Sequence, residues 1–272
     1  MGRLSSDGFT RLISGLVLGA LAIAAAIVGG RPFILFWTAA AIGVFGEWSG
    51  IVAPAARPAR FIGLVVFVAA GSLALSGYAL AMIAVLASGA VVIAVVAPQG
   101  KRAWLAGGVI YAALVLASPI LLRRDPELGM LALIYLFAIV WSTDILAYIG
   151  GRLIGGAKLA PAISPKKTWS GAIVGLLSGV GAGTAAVLVA GFANPLAPAG
   201  LALLLSAVAQ VGDLGESAVK RHFGVKDSGR IIPGHGGLMD RLDGFLAAAA
   251  AAALLGATRG GIDGAAQGLL LW

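Results

Sequence analysis

The sequence contains no cysteine and very little charge. Without cysteine the chain can form no disulfide, no thiolate metal site and no cysteine nucleophile. Charged residues make up only 11% of the 272 residues; eleven are Asp or Glu, and two more residues are His. Because so few side chains can bind a metal or move a proton, any place where they cluster is a candidate site.

Apolar residues dominate the composition. Hydrophobic residues make up 60% of the chain, and the mean hydropathy is +1.02. Apolar runs long enough to cross a bilayer recur from end to end, which predicts an all-α fold, a polytopic integral membrane bundle of about nine helices. The predicted spans are Leu12–Val28, Phe33–Val52, Phe61–Ser76, Tyr78–Ala97, Trp104–Leu122, Leu128–Ile149, Gly171–Gly191, Leu196–Val211 and Gly244–Thr258. A cleaved signal peptide is the alternative for the first run, which is longer than the roughly 7–15 residues of a signal's apolar core.

Basic residues are distributed unevenly among the predicted loops. With the N-terminus in the cytoplasm, fifteen of the nineteen Lys and Arg residues fall on the cytoplasmic side. This bias predicts a protein of the cytoplasmic (inner) membrane whose polar segments 150–170 and 212–243 face the cytoplasm. It also accounts for the net charge of +8 without a nucleic-acid partner. We interpret 1–122 as N-terminal membrane helices and 123–272 as the C-terminal catalytic region of one membrane domain.

Polar residues concentrate in one stretch, from Gly212 to Gly244. This stretch holds five of the eleven carboxylates, five of the nineteen Lys and Arg residues and both histidines. Because acids and bases are balanced, it predicts a metal site beside a polyanion site rather than a basic patch for lipid headgroups. Its carboxylates are Asp213, Glu216, Asp227, Asp240 and Asp243.

The first half of this stretch has helical spacing. Four polar residues would share one face if the eighth predicted helix continued beyond its span: Asp213, Glu216, Ser217 and Lys220. Near the start of the last span, Asp240 and Asp243 are three residues apart. Carboxylates from two converging helices suit a hard cation such as Mg²⁺, and the glycines of Lys226–Gly237 would let backbone N–H groups approach a phosphate. An ordinary loop with ion pairs and helix caps is the alternative.

A second polar group begins inside the sixth span. Asp144 interrupts an apolar run, and an acid within a span usually faces a polar interior or pairs with a cation, so Asp144 is a functional candidate or a structural partner of Arg152 or Lys158. Further on, Lys166 and Lys167 follow a proline just before a predicted helix N-terminus. This arrangement predicts an anion site, with lipid-headgroup contact or a topology signal as the alternative.

These residues also carry a family resemblance. From Ser217 to Asp243 the pattern Ser-x2-Lys-Arg-x4-Lys-Asp-x-Gly-x2-Ile-Pro-x-His-Gly-Gly-x2-Asp-Arg-x-Asp resembles the C-terminal signature of the phosphatidate cytidylyltransferase (CDP-diacylglycerol synthase) family. The segment 142–171 is similar in its Asp-x3-Tyr, Gly-Arg and Ser-Pro-Lys-Lys-Thr elements, and Glu47-Trp48 is similar to a Glu-Trp pair of the family. Ser170 departs from the pattern, because many members have Glu there.

The resemblance implies transfer of a cytidylyl group from CTP to phosphatidic acid in the bilayer, with release of pyrophosphate. It implies Mg²⁺ as cofactor, with a second cation left open, and a homodimer. The implied metal ligands are Asp213 and Asp240, with Asp243 and Asp144 as further candidates. The implied catalytic residues are Asp213, Lys220, Arg221, Lys226, Asp227, His235, Asp240, Arg241 and Asp243. The implied substrate-binding residues are Asp144, Lys166, Lys167, Ser217, Gly236 and Gly237.

Two other functions stay open at this point. One is a related membrane enzyme that uses CTP on another lipid, either a lipid kinase or an ether-lipid cytidylyltransferase. The other is a transporter, in which charged residues inside the membrane would line a permeation path. Transporters often carry paired halves with broken helices, and the sequence shows no such pairing.

Overall fold

The computed structural model describes residues 6–229, 231–232 and 236–272, with the side chains of 6–12 left aside. Within these residues the protein is almost entirely helical. The helices of the first half are α1 (Ser6–Val28), α2 (Gly30–Val52), α3 (Arg57–Leu75), α4 (Ala79–Val96) and α5 (Arg102–Arg123). The second half contains α6 (Gly129–Ile154), β1 (Lys158–Ala160), β2 (Ser164–Thr168), α7 (Trp169–Val189), α8 (Leu196–His222), α9 (Met239–Gly260) and α10 (Ala265–Leu270).

The helices confirm the prediction of a polytopic membrane bundle. Eight of the described helices, α2 to α9, are long and apolar enough to cross a bilayer, and α1 contributes the shorter apolar segment Ile13–Val28. All nine predicted spans therefore coincide with a helix. The protein is an integral membrane protein.

The structure contains one small element that the sequence does not predict. The residues before α7 form a small antiparallel hairpin, in which Lys158 pairs with Thr168 and Ala160 pairs with Ser164. The Thr168 hydroxyl accepts a hydrogen bond from the Gly171 backbone N–H at 3.1 Å and so caps the N-terminus of α7. The hairpin thus leads directly into the following helix.

The chain divides into two compact units. The first contains 1–120 and 223–242. In it α2 packs against α3, and α3 against α4. Helix α5 meets α2 at Trp48, whose indole N–H donates to the Trp104 carbonyl at 2.8 Å and whose ring centroid lies 5.1 Å from that of Tyr111. The core of this unit is formed by large side chains such as Phe33, Trp37 and Phe67.

The second unit contains 121–222 and 243–272, and the packing of α6 against α7 dominates it. Buried glycines recur every fourth residue along α7, at positions 171, 175, 179 and 183. A Cβ at Gly171 would lie 2.6 Å from the Ala147 carbonyl oxygen, so the two backbones touch there. Small residues allow this close approach of membrane helices. The rigid contact fixes α6, which carries Asp144, beside the hairpin that carries Lys166 and Lys167.

Candidate active site

In the first unit, a buried carboxylate on α2 binds the segment that follows α8, which the structure describes at 223–229, 231–232 and 236–238. Glu47 is only 7% exposed. Its Oε1 accepts a hydrogen bond from the Leu238 N–H at 2.9 Å, and its Oε2 accepts from the Met239 N–H at 2.8 Å and the Ser228 hydroxyl at 3.0 Å. Three donors from one segment therefore converge on one side chain of α2.

Asp240 accepts hydrogen bonds from the same segment. Its Oδ2 accepts from the Ser228 N–H at 2.9 Å and from the Gly237 N–H at 2.8 Å, and it lies 2.9 Å from the Ser228 hydroxyl, whose single proton is shared with Glu47. The Gly237 N–H, predicted to bind substrate, thus donates within the protein. Asp240 lies in the first turn of α9, which begins five residues earlier than the predicted span, and a negative charge is favourable there.

Two glycines let the segment close around Glu47. A Cβ at Gly229 would lie 2.5 Å from Glu47 Oε1, and a Cβ at Gly237 would lie 1.8 Å from Ser228 Oγ and 2.6 Å from Glu47 Oε2. Gly236 has a φ of +85°, a backbone conformation that favours glycine. These glycines therefore have a structural reason to be present, in addition to the phosphate contact that the sequence predicts.

A cavity of about 550 Å³ lies between α2 and this segment. Its wall on the α2 side includes Gly46 and Gly50, where an added Cβ would meet nothing within 4 Å. Its other wall includes Asp227 and Ser228. The volume lies in the range of about 300–1,000 Å³ that is typical of small-molecule sites. The first unit therefore offers space for part of a substrate beside a predicted catalytic acid.

In the second unit, three carboxylates lie within electrostatic range of a fourth. The negative charges of Asp213, Glu216 and Asp144 all act on Asp243. These residues come from three helices, α6, α8 and α9. Helix α8 continues to His222, as the helical spacing predicted, and α9 crosses it closely, because a Cβ at Gly212 would lie 2.4 Å from the Ala247 Cβ. The carboxylates of these three helices therefore make the electrostatic potential around Asp243 more negative.

Cations lie next to these acids. Lys167 of β2 forms an ion pair with Asp213 Oδ2, and Ser217 Oγ lies 3.5 Å from Asp213 Oδ1. Lys220 Nζ lies 2.8 Å from Glu216 Oε2. The hairpin therefore places a predicted substrate-binding lysine directly against a predicted metal ligand.

The remaining predicted site residues are more exposed. Arg221 is exposed and its Nε donates to the Ile163 carbonyl at 3.3 Å, which ties the end of α8 to the hairpin. The other exposed residues are Asp144 and Lys166 in the second unit and Lys226, Asp227 and Arg241 in the first. His235 lies outside the described residues.

The donor set suits a hard cation. Among the described residues, no three Asp, Glu or His side chains are grouped closely enough to form a ready metal site. Mg²⁺ does not need such a group, because proteins usually bind it through one or two carboxylates, with waters and substrate phosphates as the other ligands. Asp213, which is partly exposed and pairs with Lys167, fits this requirement as a single carboxylate ligand.

Two residues that shape these sites, Glu47 and Glu216, are absent from the predicted catalytic, substrate-binding and metal-binding residues. In the sequence, Glu47 belongs only to a family resemblance, and Glu216 is one of the five clustered carboxylates and part of a helical face. A signal was present for Glu47, because it is the one acidic residue between Asp7 and Asp125 and it lies inside a predicted span. Acids within spans are functional candidates by default.

Comparison with known proteins identifies the family of this chain. The profile of the cytidylyltransferase family matches residues 9–258. The chain is 46% identical over 254 residues to the phosphatidate cytidylyltransferase of Brucella abortus, covering 91% of this chain and 93% of that protein. It is 45% identical over 149 residues to the phosphatidate cytidylyltransferase of Rickettsia bellii, covering 51% of this chain and 63% of the relative.

A phosphatidate cytidylyltransferase of Staphylococcus aureus is 49% identical over 119 residues, covering 43% of this chain and 46% of the relative. The family profile spans nearly the whole chain, and the Brucella relative aligns over most of both proteins. The family resemblance carried by the spaced Lys, Asp and Gly residues is therefore confirmed over residues 9–258. The chain belongs to the cytidylyltransferase family.

Proposed function

We propose that this protein is a phosphatidate cytidylyltransferase, which transfers CMP from CTP to phosphatidic acid. The products are pyrophosphate and CDP-diacylglycerol, and the lipid product remains in the bilayer for phospholipid synthesis. The observation that carries the proposal is the 46% identity to a phosphatidate cytidylyltransferase over 91% of this chain. The grouping of Lys167 with Asp213 and of Lys220 with Glu216 supports it, because the chemistry requires cations and acids in one place.

The reaction consists of one displacement at phosphorus. A phosphate oxygen of phosphatidic acid attacks the α-phosphorus of CTP, and the bond from that phosphorus to the pyrophosphate oxygen breaks. The attacking phosphate is already mostly ionised near neutral pH, so no general base is required. The barrier comes from bringing two anions together in line, and the protein lowers it by positioning and by neutralising charge.

The side chains of the second unit suit this task. Lys167, Lys220 and Arg221 would hold phosphate oxygens, and Lys166 lies exposed on the same hairpin strand as Lys167. Asp213 would bind Mg²⁺, with Asp243 and Asp144 adding negative charge near it, and Asp240 stays a predicted ligand. When bound, Mg²⁺ would neutralise triphosphate charge and favour departure of pyrophosphate.

In the first unit, the exposed side chains Lys226, Asp227 and Arg241 are proposed to contact the substrates. Both substrates fit a membrane protein, because the lipid is held in the bilayer and CTP comes from water. We place the protein in the cytoplasmic membrane with its site facing the cytoplasm, on the basis of the uneven distribution of Lys and Arg between the loops. A homodimer remains an expectation from the family.

The test is an assay of the purified protein with CTP, phosphatidic acid and Mg²⁺. We expect pyrophosphate and CDP-diacylglycerol to appear in equal amounts. Release of CDP together with a phosphorylated lipid would instead show a lipid kinase. Turnover of an ether lipid in place of phosphatidic acid would show a different cytidylyltransferase, and absence of any CTP turnover would overturn the proposal.

A further inference from the structure

We propose that Glu47 is a positioning residue of the reaction, which fixes the backbone next to the predicted catalytic acids Asp227 and Asp240. The proposal rests on the proposed function. Glu47 does not need to contact substrate for this role. It acts through the backbone and side-chain donors that it holds.

The contacts of Glu47 lie next to both acids. Its carboxylate binds Ser228, the residue after Asp227, and Met239, the residue before Asp240. The Ser228 hydroxyl is also 2.9 Å from Asp240 Oδ2, so one serine links the two carboxylates. A displacement of Glu47 would therefore shift the backbone at Ser228 and Met239, and with it the neighbouring acids Asp227 and Asp240.

The buried charge itself argues for a specific role. An apolar side chain of similar size would fill the site without the cost of burying a carboxylate. It would also leave the Leu238 and Met239 N–H groups and the Ser228 hydroxyl without their acceptor, and buried donors are normally satisfied. A carboxylate is the side chain that can accept from several donors at once, because it has two oxygens and no proton.

The fit around Glu47 leaves little freedom. Both oxygens approach glycine Cα positions so closely that a methyl group at Gly229 or Gly237 would collide with them. The cavity of about 550 Å³ is lined by Glu47 itself together with Asp227 and Ser228. Holding this segment therefore also sets the shape of the space in which part of a substrate would bind.

The experiment compares Glu47→Gln with Ser49→Ala, both in detergent-purified full-length protein. Ser49 lies on the same helix, is fully buried and donates its hydroxyl hydrogen bond to the Gly46 carbonyl, so it matches Glu47 in burial. The glutamine keeps the shape of Glu47, but it replaces one acceptor oxygen by an NH2 group. That group cannot accept the hydrogen bonds which the segment donates. The measurements are kcat and KM for CTP and for phosphatidic acid per folded molecule, and hydrogen–deuterium exchange of peptides that contain Leu238 and Met239.

We expect Glu47→Gln to lower kcat at least tenfold per folded molecule and to speed exchange at Leu238 and Met239 at least tenfold, with exchange in α3 and α4 unchanged. Ser49→Ala should stay within twofold of the wild type in kcat. A merely structural role would reduce the folded fraction without changing kcat of the molecules that fold. That result, or unchanged exchange at Leu238 and Met239, would overturn the proposal.

A second variant keeps the proposal testable if Glu47→Gln does not fold. Ser228→Ala removes one of the three donors and leaves the carboxylate in place. We expect a smaller loss of kcat than for Glu47→Gln with the fold retained, and wild-type kcat in Ser228→Ala would count against the proposal. An inactive wild-type protein would overturn the proposed function and this role together, whereas an active wild type with fully active Glu47 and Ser228 variants would overturn this role alone.

Discussion

Lys220 Nζ lies 2.8 Å from Glu216 Oε2, one turn away on α8, and the Glu216 side chain is fully buried while that of Lys220 is 11% exposed. Both charges are therefore largely removed from water. Breaking such a pair by removing one charge is costly, because the other charge stays buried. The pair thus fixes the position of a predicted phosphate-binding lysine before any substrate arrives.

Glu216→Gln should destabilise the protein by about 3–5 kcal/mol, the usual cost of leaving one member of a buried pair alone. Adding Lys220→Met should recover part of this loss, because the second charge is then absent too. Thermal unfolding in detergent measures both, with Glu127→Gln at an exposed position as the matched control. Equal stability of the single and double variants would contradict the prediction.

Asp213→Asn should reduce pyrophosphate release by about 100-fold or more, because it removes a proposed ligand of the Mg²⁺ that would neutralise the triphosphate charge. The fold should persist, since Asn has the same shape and Asp213 is only partly buried. Asp240→Asn is expected to cause a similar loss. Asp263→Asn is the control, because Asp263 is 82% exposed and pairs with Arg124. Near wild-type turnover in both Asp213 and Asp240 variants would refute their assignment.

Removal of divalent metal should stop the reaction reversibly. The physical reason is that the two lysines beside the clustered acids, Lys167 and Lys220, are already paired with carboxylates, so the triphosphate needs the proposed Mg²⁺ to neutralise its charge. The measurement is pyrophosphate release in EDTA, followed by addition of excess Mg²⁺ or, as a control, of NaCl at matched ionic strength. Activity that continues in EDTA would remove the cation from the mechanism.

Membrane topology can be tested by cysteine labelling without background labelling of the protein itself, because the chain has no cysteine of its own. Single cysteines at Lys158, Lys226 and Asp263 are labelled in intact cells with a reagent that does not cross the membrane. We expect labelling at position 263 alone, since the other two positions are predicted to face the cytoplasm. Labelling at 158 and 226 but not at 263 would reverse the topology.

Asp125→Ala should lower stability by at least about 2 kcal/mol and leave kcat of the folded protein unchanged. Asp125 is fully buried, and its carboxylate accepts hydrogen bonds from the N–H groups of Glu127, Leu128 and Gln267. It therefore joins the start of α6 to α10, and hydrogen bonds to charged groups contribute about 1.5–3 kcal/mol each. Thermal unfolding and the CTP assay together check this, and an undiminished unfolding temperature would contradict it.

The positions of the helices could be predicted because apolar length is a local property. Every predicted span coincides with a helix, and the spacing of Asp213, Ser217 and Lys220 correctly indicated that α8 extends beyond its apolar part. Helix α9 begins five residues before the predicted span, because an apolar run marks only the part of a helix that crosses the bilayer. An acid in the first turn favours the earlier helix start.

The hairpin and the role of Glu47 could not be predicted in the same way. The strands at 158–160 and 164–168 have no alternating apolar pattern, so only their backbone pairing defines them. Ser170, which departs from the family pattern, donates to the Gly155 carbonyl and links the end of α6 to the start of α7. The partners of Glu47 are 181 to 192 residues away, and no local pattern reveals such contacts.

This separation also determines when the protein can mature during its synthesis. The ribosome completes α2 long before it adds Ser228, Leu238 and Met239, so the nascent chain holds Glu47 near the end of a membrane helix without these three donors. A carboxylate in that situation is costly to leave in lipid, and the early helices are expected to remain loosely assembled near the membrane surface or the insertion machinery. The enzyme can therefore become active only after the last fifth of the chain, which contains these three donors, has been translated.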